Sequence, residues 1–122
     1  MKYNLFIGRW SPFHNGHKYI IDSFVGNGKP VCIAVRDSEE KYSKETRKRM
    51  IESVYKEEIS QGLVHVIIIP DIETVAVGRK VGYSIIEVPE KVKTISGTRV
   101  RAGQCDDIDP RVKEIMEEEE NA

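Results

Sequence analysis

Three observations predict an α/β fold built on a parallel sheet. Short apolar runs and helical stripes alternate within the first 70 residues. The runs Pro30–Val35 (Pro-Val-Cys-Ile-Ala-Val) and Leu63–Ile69 (Leu-Val-His-Val-Ile-Ile-Ile) are too apolar for strands with one wet face, as buried strands of parallel sheets are. A turn rich in polar groups, Gly8–His17, directly follows the first apolar run. Strand, helix, strand, helix, strand is the order of a Rossmann-like, doubly wound sheet in three α/β/α layers. Its crossovers are right-handed and its ligands bind beyond the carboxyl ends of the strands. At 122 residues the chain is expected to be a single small domain, large enough to bury a core without staples.

Tyr3–Ile7 reads as the first strand. A helix opens near Asn15; Ile20, Ile21, Phe24 and Val25 recur at helical spacing, and Gly26-Asn27-Gly28 ends it with residues of positive φ. Pro30–Val35 is the second strand. Ser43 caps the next helix, whose stripe is Met50, Ile51, Val54, Tyr55 and Ile59. Leu63–Ile69 is the third strand, closed by Pro70. Gly78–Tyr83 reads as a loop, and Ser84–Val88 as a short strand or a helical turn. Asp109-Pro110, a cap with proline at the first helical position, opens a C-terminal helix over about 109–120, with Val112, Ile115 and Met116 inward. Glu117–Glu120 reads as its solvated, fraying end.

Lysine and arginine number 19 against 20 acids, a net charge of −1, which argues against bulk nucleic-acid binding. Two scattered cysteines without a secretory signal suggest a reducing compartment. No apolar stretch approaches the roughly 20 residues that span a bilayer. A soluble, cytoplasmic protein with no membrane partner is the expectation. Apolar segments around Val75–Val77 and Ile85–Val88 suggest a patch that pairs with another copy, a homo-oligomer.

The chemistry concentrates in Gly8-Arg9-Trp10-Ser11-Pro12-Phe13-His14-Asn15-Gly16-His17. Two imidazoles three residues apart, beside the positive end of a helix, with Arg9 near and Gly16 allowing close approach, describe a polyphosphate site. Ordinary surface histidines and a zinc site are the competing readings; against zinc, Cys32, Cys105 and His65 are scattered singly, and the glutamate of the metalloprotease helix motif is missing. Trp10 reads equally as a stacking platform for a ring and as a core residue. Arg36 and Asp37 follow the second strand and face the crevice, while Arg79 and Lys80 are candidates for an anionic acceptor. His65 reads as packed and Cys32 as an inert core thiol. A second patch, Ile95-Ser96-Gly97-Thr98-Arg99-Val100-Arg101, offers Ser96 or Thr98 as a helix cap with Arg101 one turn on.

Taken together, His14-Asn15-Gly16-His17 and Ile95-Ser96-Gly97-Thr98 with Arg101 resemble the HxGH and ISxTxxR motifs of the α/β nucleotidyltransferase superfamily, which includes the cytidylyltransferases. Gly8–His14 is most similar to the archaeal-type nicotinamide mononucleotide adenylyltransferases, and Thr46–Ile51, with Arg47, is similar to the segment opening their second helix. Gly78–Tyr83 and the Ile-Ser-Gly-Thr wording are similar to small adenylyltransferase-like domains, some found beside adenylylsulfate kinases. The resemblance covers roughly residues 3–102, but leaves only about 25 residues between the third strand and the second motif, where many members have a longer acceptor segment.

The resemblance implies transfer of AMP from ATP to a small phosphorylated acceptor, nicotinamide mononucleotide foremost, with release of pyrophosphate. A CTP-dependent enzyme acting on a phospho-alcohol, or a non-catalytic nucleotide-binding domain, is the alternative. By matched position His17 donates to the α-phosphate and His14 holds the triphosphate. Arg47 and Arg101 grip the outer phosphates, and Arg9 shares that work. Backbone around Gly8 and over Ser96, Gly97 and Thr98 shapes the nucleotide site. Mg2+ is expected on the nucleotide phosphates rather than in a protein cage.

Overall fold

The computed structural model describes residues 2–78, 82, 85 and 108–121. Their order is β1 (Asn4–Gly8), α1 (Asn15–Val25), β2 (Val31–Asp37), α2 (Lys44–Val54), α3 (Lys56–Ser60), β3 (Val64–Pro70) and α4 (Pro110–Glu120). The strands form one parallel sheet in the order β1-β2-β3. Phe6 lies level with Ile33, and Ile33 with Val66. β2 is central, and Val31, Ile33, Ala34 and Val35 are buried.

Side chains alternate across a sheet, and the core lies on the face that carries Phe6, Ile33, Val35 and Val66. Against that face pack Phe13 and Ile21 from the α1 region, Met50, Ile51 and Val54 from α2, and Val112, Ile115 and Met116 from α4. On the other face Leu5 and Ile7 are exposed. Three strands in sequential order wind in one direction, and crossovers of one hand put their helices on one side. A small α/β domain on a parallel sheet, compatible with a Rossmann-like fold, is therefore present. Among the described residues there is no reversal of winding and no third layer.

Several local expectations are corrected. The second helix breaks at Tyr55, whose φ of −114° and ψ of 32° leave the helical region; its ring is buried and its hydroxyl donates to Asp22 Oδ1 at 2.8 Å. Of the glycines closing α1, Gly26 is right-handed and Gly28 has φ 70°. His65 and Cys32 face the side of the sheet away from the core: His65 is exposed and Cys32 half-buried. The glutamates of α4 are exposed, and three of them accept bonds from α2 and the loop before it. Arg49 donates to Glu118 at 2.8 Å, Thr46 to Glu119 at 3.0 Å and Lys41 to Glu120 at 3.3 Å.

Exposed ion pairs contribute little each, and salt screens them. Replacing Glu118, Glu119 and Glu120 together by Gln is expected to cost only about 1 kcal/mol in urea unfolding at low ionic strength. Most of that loss should disappear in 1 M salt. A larger, salt-independent loss would mean that these three side chains hold α4 by more than screened charge pairs.

Candidate functional site

His14 is the N-cap of α1, with extended backbone. Its Nδ1 accepts from the Gly16 N–H at 3.1 Å and the His17 N–H at 3.4 Å. In return His17 Nδ1 accepts from the His14 N–H at 3.3 Å. This is a capping box in which histidine replaces both of the usual partners, Ser or Thr at the cap and Glu or Gln three residues on. The spacing of three that made the pair conspicuous in the sequence is the spacing this box requires. The rings stack with centroids 3.7 Å apart and planes 14° apart.

A ring nitrogen that accepts an N–H bond carries no proton. In the neutral rings both Nε2 atoms are therefore protonated, and each imidazole presents an N–H donor edge. The His17 ring centroid also lies 5.8 Å from that of Phe13, with the planes 21° apart, and 4.7 Å from that of Trp10, with the planes nearly perpendicular. Burial among these rings, and secondarily the neighbouring His14, lowers the His17 pKa to about 3. His17 is thus uncharged at neutral pH. The N–H groups of Gly16 and His17, expected to attract an anion directly, are already taken by the His14 ring. What remains at this helix end to favour an anion is the helix dipole.

Arg47 does not stand where the sequence suggested. It is fully buried, and its guanidinium donates to four backbone carbonyls. Nε reaches Tyr42 O at 3.0 Å, Nη1 reaches Arg9 O at 2.7 Å and Arg36 O at 3.0 Å, and Nη2 reaches Ser38 O at 2.9 Å. A helical side chain lies over the turn preceding its own Cα. From the first turns of α2, Arg47 is therefore carried back into the loops after β1 and β2 instead of out toward a ligand.

Trp10 resolves as a core residue. Its backbone has φ 54°, a left-handed conformation costly for a bulky side chain. That conformation folds the indole back over the sheet, where Nε1 donates to Ala34 O at 2.9 Å. A Cβ on Gly8 would meet the indole at 2.9 Å, so the glycine there makes room for tryptophan. Arg36 turns to β3, bonding Asp71 Oδ1 at 3.0 Å through Nε and Ile72 O at 3.0 Å. Asp37 pairs with Lys44 at 2.8 Å. Arg9 is 64% exposed in its side chain and lies 3.9 Å from Glu40. Gly16, His14 and His17 are thus brought together at the head of α1, with Arg9 on the loop before it. Arg79, Lys80, Ser96, Gly97, Thr98 and Arg101 lie outside the described residues.

Three features were not read from the sequence. Glu40 sits in a polar loop with no motif around it. The hydroxyls of Ser11 and Ser38 are buried without a hydrogen-bond partner, which only coordinates reveal. An open groove of about 540 Å3 between α2, α3 and α4, lined by Arg49, Glu52, Glu58, Arg111 and Glu118 among others, contains none of the expected site residues.

Among the described residues no cluster of three or more His, Cys, Asp or Glu side chains is placed to hold a metal ion. No described helix is long and apolar enough to cross a membrane. No family model, no curated protein and no solved structure matches this chain.

Arg47→Lys keeps the charge but cannot reach four carbonyls, because an ammonium lacks the planar fork. Its expected cost is on the order of 3 kcal/mol or more, from buried carbonyls left unpaired. Chemical denaturation measures it; a loss below about 1 kcal/mol would deny Arg47 this role. The His17 pKa carries a second expectation. Between the ordinary value of 6.5 and about 3, the unfolded state binds the proton and the folded state does not, so stability falls as pH falls through that window. His17→Gln should flatten the decline in a pH series of unfolding curves.

Proposed function

We propose that the chain is a nucleotidyltransferase that moves a nucleoside monophosphate, AMP foremost, from its triphosphate to a small phosphorylated acceptor. The observation that carries the reading is the reciprocal histidine cap. It fixes His14 and His17 as Nε2–H donors at the head of α1, beyond the carboxyl end of β1, where open α/β sheets take their ligands. The resemblance of Gly8–His17 and Ile95–Arg101 to the HxGH and ISxTxxR motifs supports the same reading.

In this mechanism an acceptor phosphate oxygen attacks the α-phosphorus. The new P–O bond forms as the bond to the β-phosphate oxygen breaks, and pyrophosphate leaves with the electron pair. The nucleophile is already an anion, so no base is needed, and positioning with charge stabilisation suffices. A neutral His17 contributes a hydrogen bond rather than a charge, as a neutral imidazole held by its surroundings can. Positive charge then falls to Arg9 and Arg101. Magnesium, carried on the phosphates, would supply further charge neutralisation; among the described residues no cluster of three or more His, Cys, Asp or Glu side chains is placed to hold it. Arg47 serves by holding the loops in place. Nicotinamide mononucleotide is the leading acceptor on the wording of Gly8–His14, and CTP is the competing nucleotide.

The test is pyrophosphate release from ATP or CTP over a panel of phosphorylated acceptors. Release with CTP alone would replace AMP by CMP transfer. Protection from thermal unfolding by ATP, without turnover of any acceptor, would reduce the chain to a nucleotide-binding domain. With the productive acceptor, His17→Ala should lower kcat by on the order of a hundredfold while changing the KM for ATP little. The wild-type rate should show no His17 titration between pH 5 and 8. A near-normal kcat in His17→Ala would move the chemistry elsewhere.

A further inference from the structure

The cations on the loops after β1 and β2 are not equally available. Arg36, Lys41, Lys44 and Arg47 each have an oxygen partner within 3.3 Å: Asp71 and Ile72 O, Glu120, Asp37, and the four carbonyls respectively. Arg9 is different. Its nearest carboxylate oxygen, on Glu40, is 3.9 Å away, and its side chain is 64% exposed. At that distance the pair is a contact between charges, not a hydrogen bond.

Glu40 is the opposite case. Its side chain is only 13% exposed, and its charge acts on Arg9 and, through space, on Arg47. Both backbones are fixed from one point. Arg47 holds the Arg9 carbonyl on one side and the carbonyls of Ser38 and Tyr42, which bracket Glu40, on the other. A largely buried carboxylate on a pinned loop therefore faces an exposed guanidinium across the loops that lead into α1 and α2.

We propose that Glu40 is a positioning residue for polyphosphate binding: it holds Arg9 as a counter-ion in the empty site and gives it up to the incoming phosphates. The inference rests on the phosphate-site reading above. Before binding, Glu40 keeps the guanidinium near the loop. When phosphates arrive they compete with one loosely held carboxylate, and Arg9 moves to them, since guanidinium meets phosphate through paired N–H groups. When pyrophosphate departs, Glu40 recaptures the arginine. The carboxylate thus weakens the hold on polyphosphate and favours product release. Glu40 forms and breaks no covalent bond.

The experiment is calorimetric titration of inorganic triphosphate into wild type, Glu40→Gln, Arg9→Gln and the double variant, with Glu39→Gln as control. Glu39 is exposed and removes the same formal charge one residue away. Glu40→Gln is expected to bind triphosphate roughly three- to tenfold more tightly, the size of a partly screened charge pair. Arg9→Gln should weaken binding in both backgrounds, and more strongly where Glu40 is absent, because Arg9 there has no competing partner. Glu39→Gln should change little. A residue that merely shaped the loop would lose affinity on substitution, so the gain separates the two roles. Weaker binding by Glu40→Gln, an equal gain in Glu39→Gln, or an Arg9→Gln effect identical in both backgrounds would each overturn the inference alone. If wild type binds no triphosphate, the phosphate-site reading falls first, and the inference with it. Should Glu40→Gln fail to fold, Glu40→Ser replaces it with the same expectations.

Discussion

Four backbone carbonyls from the ends of two strands and the loop beyond them converge on the buried guanidinium of Arg47. Taking a charge out of water is expensive unless dipoles or opposite charges replace the solvent. Here the carbonyl dipoles do so directly, and the carboxylates of Glu40, Asp37, Glu45 and Asp71 act through space. Desolvation lowers the Arg47 pKa and those acids raise it, and arginine starts high enough to stay charged. Parallel strands end side by side with their next residues unpaired, and something must satisfy the carbonyls exposed there. One side chain from the helix after β2 does this for Arg9, Arg36, Ser38 and Tyr42. The head of α1, the turn of Trp10 and the Glu40 loop all hang from that point.

The histidine cap shows what such a fixed frame permits. Serine or aspartate would cap α1 more commonly; an aspartate keeps no donor after accepting the helix N–H groups, and a serine keeps one O–H, as Ser43 does toward Thr46. Imidazole likewise does both at once, accepting at Nδ1 and keeping an N–H at Nε2. The stack of Phe13, His17 and His14 keeps the rings flat against one another. It also keeps His17 dry, and therefore neutral. Capping of the helix and stacking of the rings at its head are here the work of the same two side chains.

Much of this was legible in the chain. Apolar runs marked all three strands, since β2, at the centre of the sheet, is apolar from Val31 to Val35 and leaves no polar alternation to confuse the reading. Ser43 and Asp109 announced their helices because capping is local chemistry, and both side chains accept the N–H bonds expected. The histidine spacing stood out for the same reason, and the two rings form the reciprocal cap of α1. Residues whose role depends on where other segments pass were misread. Arg47 carried a motif's implication toward phosphate, yet four distant carbonyls claim it. Nothing local in Ser38–Tyr42 marks Glu40. Trp10 stood open between two readings until the neighbouring glycine and the Ala34 carbonyl decided it. The winding was legible only in part: alternation predicts parallel strands, whereas strand order follows from long-range pairing that no window of sequence contains.

The indole of Trp10 lying over Gly8 has a consequence for how this turn can vary among descendants of the chain. A methyl group at position 8 would press on the indole rather than on a movable chain end. Moving the indole away would sacrifice its bond to Ala34 O and its contact with His17. Neither position can change first without loss, and a path to another pair must pass through a damaged intermediate. Glycine and tryptophan two residues apart therefore form a single heritable unit. Drift at one is blocked by the other.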